Sequence, residues 1–226
     1  MSYVISLQLK SATHQRFQDI HQQLNQGQND NLAKALGEVL ADISYEVIDQ
    51  VFGEITRVSQ SGDQESARVI QHIMQTTRKY MPWSVSLFGN ERLLPMVNYL
   101  HGLMSEQDGE YFLSYPVDPQ SVEALLSNAE QMQQGINEAV MPALHAFTDI
   151  VDQGVTHLIR IPKQMLKFNV MVDKTLNGVI HVTTQMGYKR FDKLGTQYDA
   201  KTMSHYFNHF LVFLRNSTNN EGARRN

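Results

Sequence analysis

The chain has 226 residues, 42% of them hydrophobic and 19% charged, with a formal net charge of −4. That balance suits a globular core and excludes a disordered polyelectrolyte. No cysteine is present, which excludes disulfides, thiolate catalysis and Cys-bound zinc or iron–sulfur clusters.

The opening run from Met1 to Lys10 lacks a basic segment, a long apolar stretch and a small-residue cleavage site. A secretory signal is therefore not expected. No run reaches the roughly 18 apolar residues of a membrane span, so a cytoplasmic setting without membrane insertion is the expectation.

Phe17, Ile20 and Leu24 recur at helical spacing, and the polar cluster from Asn25 to Asp30 reads as a loop. From Asn31, the residues Leu32, Leu36, Val39, Ile43, Val47, Val51, Ile55 and Val58 recur every three or four positions. Leu40, Ile48 and Phe52 widen that stripe, which predicts a long helix with a broad buried face. Asp30 or Asn31 can cap its start, and Ser61-Gly62-Asp63 ends it.

A second helix is predicted from Gln64 to Tyr80, with Ala67, Ile70, Ile73 and Met74 inward and Pro82 as the stop. The apolar stretch 81–90, which carries Trp83 and Phe88, then reads as a loop. Glu91 to Met104 predicts another helix, with Pro95 in its first turn. After the break at Gln107-Asp108-Gly109, Tyr111 to Tyr115 is extended in character. A long helix follows from Gln120, with Leu125, Ala129, Met132, Ile136 and Val140 on one face. Pro142 should kink or restart it before Leu144, Phe147 and Val151.

Residues 155–186 carry two competing signals. Their Val, Ile and Thr content, split by Asn177-Gly178, fits a hairpin. Met165, Phe168, Val172, Leu176, Val179, Thr183 and Met186 instead keep helical gaps, and that longer register favours helix. Gly195 is expected to end this element. A last helix is predicted from Asp199 to Arg215. The fold class is thus mainly α, an elongated bundle of about six or seven helices within one domain, 1–216, and a disordered tail at 217–226. The alternative is α+β, with a small hairpin or sheet drawn from 110–116 and 155–185.

The common phosphate loops, the Gly-x-Ser-x-Gly elbow, His-Glu-x-x-His and the Glu-x-x-His of di-iron bundles are all missing. The sharpest constellation is His205 and His209, one helical turn apart and so able to share a divalent metal such as zinc, nickel or iron. His145 is the foremost candidate for a third ligand, with His72 and His101 behind it. On a helical wheel, however, the pair falls opposite the stripe of Met203, Phe207, Phe210 and Leu214. His145 also stands four residues before Asp149 and seven after Glu138, a pattern that fits either an oriented imidazole or a solvated polar stripe.

Trp83 and Phe88 are candidates for partner binding, because an apolar loop needs a reason to be apolar. The charge is lopsided: residues 1–155 hold 8 Lys+Arg against 19 Asp+Glu, while residues 156–216 hold 9 against 3. Lys189, Arg190 and Lys193, together with Arg160, Lys163, Lys167 and Lys174, could contact an anion or nucleic acid across 156–201. Offset against the acidic part within one fold is the simpler account of that charge.

The sequence points first to a non-catalytic helical binding or assembly protein, with a protein partner or self-association and no cofactor. The alternatives are a metal-dependent helical-bundle enzyme built on the His pair and an anion or nucleic-acid binder using the basic segment.

Overall fold

The computed structural model describes residues 2–27, 30–58 and 64–217, without the side chains of 55–58. In chain order it contains β1 (Tyr3–Leu9), α1 (Ser11–Asn25), α2 (Ala33–Val58), α3 (Gln64–Val85) and α4 (Asn90–Gly102). The hairpin β2 (Met104–Gln107) and β3 (Glu110–Val117) follows, then α5 (Pro119–Gln133) and α6 (Val140–Val155). A π-helical turn, Thr156–Arg160, joins α6 to α7 (Ile161–Met165), ahead of α8 (Val170–Gln197), α9 (Ala200–Leu211) and β4 (Leu214–Asn216). The protein is mainly helical, with one four-stranded antiparallel sheet in the order β2-β3-β1-β4. No helix among the described residues is long and apolar enough to cross a membrane.

The sheet is where sequence and structure differ most. The extended character of 110–116 is borne out by β3, but its main partner is β1, not any part of 155–185. In β1 the residues Ile5, Leu7 and Leu9 point inward and are essentially fully buried. Ser6 and Gln8 alternate away from them, the period-two pattern of a half-buried strand. β4 pairs only with Tyr3 to Ile5, which leaves the far half of that β1 edge unpaired. Gln50 of α2 closes it, accepting from the Gln8 amide at 3.0 Å and donating to the Gln8 carbonyl at 2.7 Å. Buried Glu46, one turn earlier, accepts from the Lys10 amide and the Thr13 hydroxyl at the start of α1. The polar residues of α2 thus dock it on the strand edge, because an edge amide buried without a partner would be costly.

Residues 155–165 and 170–185 are helical, and a short linker, 166–169, joins α7 to α8. The apolar register of α8 outweighs the β-propensity of its Val and Thr residues, and Asn169 caps its first turn by accepting from the Val172 amide. Asn177-Gly178 passes through without breaking the helix. Several predicted boundaries also move, among them the end of the helix expected to reach Met104, which stops at Gly102 before β2. Pro82 lies inside α3, where its Cα and carbonyl sit against Gly37 of α2. The α5–α6 break comes at Gly135, whose φ of +84° suits glycine, so that Pro142 falls in the first turn of α6. Gly195 does not end α8, which continues to Gln197; a Cβ at Gly195 would meet the Met141 sulfur. The last helix is shorter than predicted, since the chain leaves α9 at Leu211 to supply β4. The predicted stop at 61–63, and the tail from 218 on, lie outside the described residues.

Two apolar clusters fill the interior. One joins the inner face of the sheet to α5, α6 and α9 around Phe147, which meets Tyr206, Phe207 and Phe210 edge-on. The other joins α1, α2 and α4. Helix α3 belongs to neither over most of its length. It lies against α2 and reaches α8, and this looser layer holds the cavity described next.

Candidate functional site

A cavity of about 260 Å³ lies between α2, α3 and α8, floored by α6 and its π-turn. Its origin is local. At one end α3 is pinned to α2 by the Gly37–Pro82 contact. At the other end it is pinned to α8. There Arg190, only 5% exposed, donates to the Ser66 hydroxyl at 2.7 Å and to Glu65 at 3.0 Å, and Lys193 reaches Glu65 at 2.8 Å. Between the two pins the facing helices carry short or branched side chains, among them Thr76, Thr77, Thr183, Thr184 and Gly187. With α3 fixed to α2 at one end and to α8 at the other, and small residues between, the three helices leave a space among them.

The lining is otherwise aliphatic, with Val47, Val51, Ile70, Ile73, Val179 and Ile180 prominent. Tyr115 of β3 also lines it, and its ring lies against Gly154, where a Cβ would come within 2.8 Å. Burial pushes the Tyr115 phenol far above its ordinary range, so it stays a neutral donor.

A second, polar depression of about 270 Å³ adjoins the cavity and shares Lys163, Ile180, Thr184 and Tyr188 with it. Its centre is Asp152, which takes a bidentate pair from Arg160 at 2.7 and 2.8 Å and the Tyr188 hydroxyl at 2.5 Å. The hydrogen bond from Arg160 holds the Asp152 carboxyl below the usual carboxylate range. Burial, then the bond to Asp152, pushes the Tyr188 phenol well up. The π-turn brings this about: Thr156 donates to the Asp152 carbonyl and accepts from Arg160, so the wide turn sets the guanidinium back over the carboxylate. Lys163, on α7, instead pairs with Asp173 in the first turn of α8.

The candidates read from the sequence are placed elsewhere. The His205 side chain is 68% exposed, with its Nε2 3.8 Å from Glu54. His209 Nε2 lies 3.3 Å from the Gln50 carbonyl, and its ring is edge-on to Phe213. His145 is exposed beside Asp192 at 4.0 Å and joins neither. His72 is exposed on α3. Among the described residues no three His, Asp or Glu side chains are grouped as metal ligands would be. Phe88 is buried, edge-on to Phe168 and under the Arg92 guanidinium, while Trp83 remains half-exposed near the end of α3. Of the basic trio, Arg190 and Lys193 are engaged by Glu65, and Lys189 is exposed. Lys163 and Arg160, named only as part of the basic edge, are the two that face the depression.

His101 proves to be part of a histidine cluster. It stacks on His21 with ring centroids 3.9 Å apart, and His14 stacks on Tyr111 at the same spacing. His14 Nδ1 is buried with no partner among the described residues, while its Nε2 meets Gln18. Burial lowers the pKa of His14 despite nearby Glu106, and burial together with the other two imidazoles lowers that of His101. A folded pKa below the ordinary 6.5 means the unfolded chain takes up protons first as pH falls. Folding stability should therefore hold above pH 6.5 and decline below it, as urea titrations at stepped pH would show. His14→Phe, which keeps the stack on Tyr111, should flatten that decline; an unchanged slope would count against the assignment.

Comparison of the chain with protein-family models, with curated proteins and with solved structures gives no match.

Proposed function

We propose that the protein is a non-catalytic helical binding protein of the cytoplasm, and that its ligand is a small molecule with an apolar chain held between α2, α3 and α8. The size of the cavity carries this reading. The space is open on one side, and its aliphatic lining is only half-buried at Val47, Ile70, Ile73, Val179 and Ile180, so an apolar occupant would take that surface out of water. An apolar cavity of about 150 Å³ takes benzene. One of about 260 Å³ has room for a longer chain.

Binding is supported over catalysis by the state of the polar groups at the mouth. Asp152 is held ionised and Tyr188 protonated, each well away from neutrality, so neither is poised to exchange a proton at neutral pH. Thermal unfolding with and without 1-dodecanol tests the reading. A ligand at a hundred times its Kd adds about 2.7 kcal/mol, enough to raise Tm by several degrees. An unchanged Tm up to the solubility limit of the alcohol would overturn it.

A further inference from the structure

We infer that the ligand is an anionic single-chain amphiphile, and that its carboxylate head is ion-paired by Lys163 where the apolar cavity adjoins the polar depression. The inference rests on the cavity being the ligand site and adds the chemistry of the head group. Three observations carry it.

The two spaces adjoin across four shared residues, and Lys163 is one of them. A chain laid in the cavity with its end at that boundary therefore brings its terminal atoms to this ammonium. Among the lining residues of the depression, Arg160 and Lys163 are the cations and Asp152 is the carboxylate, while Asp173, the partner of Lys163, lies outside that lining. Finally, the two cations are held differently. Arg160 is clamped by both Asp152 oxygens and by Thr156. Lys163 has a side chain only 11% exposed, yet its partner Asp173 is 40% exposed.

Asp173 also accepts from Asn177 at 2.9 Å, so it keeps a partner and gains water when Lys163 turns away. An ammonium on a flexible four-carbon stem can make that exchange, whereas a clamped guanidinium cannot. Lys163 thus trades a solvated carboxylate for one whose apolar chain is buried, and the charge-assisted bond gains strength from the drier surroundings.

The test compares dodecanoate with 1-dodecanol by isothermal titration calorimetry on the full chain, below the concentration at which either aggregates. Dodecanoate should bind about tenfold or more tightly than the alcohol. Lys163→Gln should erase that advantage while leaving affinity for the alcohol unchanged, which also shows that the variant is folded. Lys163→Arg should keep most of the advantage, and Asp173→Asn should increase it by removing the competing carboxylate. Equal affinities for acid and alcohol, or a Lys163→Gln variant that still prefers the acid, would overturn the head-group assignment and leave the cavity reading standing. Failure of both probes to bind would overturn both.

Discussion

Gly187→Leu should stabilise the free protein and at the same time abolish ligand binding. Gly187 lies on α8 and lines the cavity, and a Cβ there would meet only Ile73 Cδ1, at 3.8 Å. Replacing a helical glycine by leucine removes about 0.8–1 kcal/mol of unfavourable propensity. The side chain also fills empty apolar space, for a combined gain of about 1–2 kcal/mol. The same atoms occupy the volume a ligand needs, so the rise in Tm with 1-dodecanol should vanish. Gly178→Ala is the matched control, because a Cβ there meets nothing within 4 Å and the position lies outside the lining. It should gain up to about 1 kcal/mol by the same propensity argument while binding normally. Urea unfolding with and without the alcohol reads both quantities. Normal binding by Gly187→Leu would place the ligand elsewhere.

Gly37→Ala should act in the opposite direction, against helix propensity. An added Cβ would lie 2.6 Å from Pro82 Cα and 3.2 Å from its carbonyl oxygen. These are backbone atoms of a helix and cannot swing aside, so α2 and α3 must separate. Overpacking of this kind costs about 1–3 kcal/mol, which outweighs the propensity gain of about 1 kcal/mol. Ligand affinity should fall with it, since the contact sets the spacing of the two helices around the cavity. A Gly37→Ala variant as stable as the parent would show that α3 is not held by this contact. Glycine is thus replaceable with profit at 187 and 178 and not at 37, a distinction made by the neighbouring helix and not by the glycine.

Helical register carried most of the architecture. The stripes of α2, α5 and α6 are legible from spacing alone, and in α8 five positions in helical register, from Val172 to Met186, outweighed a β-rich composition, whereas Phe168 of the same series falls in the linker before the helix. Strand β1 carries an equally simple signal, Ile5, Leu7 and Leu9 alternating with Ser6 and Gln8. It is only seven residues long, however, and its partners lie more than a hundred positions away, at 111–117 and 214–216. Nothing local reports such a pairing. Pro82, Pro142 and Gly195 misled for a related reason. Each has a local meaning as a breaker, and each was overridden by a close tertiary contact or by its place in a first turn.

The candidate site was less legible. The histidine pair attracted attention because metal ligation has a spacing rule, whereas a cavity has none. The usable signal was compositional: Thr76 and Thr77 on α3, and Thr183, Thr184 and Gly187 on α8, at positions where a close-packed interface would carry leucine. Those small residues become informative only once α3 is known to face α8 and to be pinned at Gly37 and Glu65. Arg190, chosen for its charge, turned out to be one of the struts that keep the cavity open, buried against Ser66 and Glu65.

The central claim, that the space between α2, α3 and α8 receives one apolar-chain molecule, is tested most directly by native mass spectrometry of the full chain titrated with dodecanoate. The account predicts a saturable one-to-one adduct on the parent protein and on Gly178→Ala, and none on Gly187→Leu. The same adduct on Gly187→Leu, or stepwise uptake of several molecules without saturation, would contradict it.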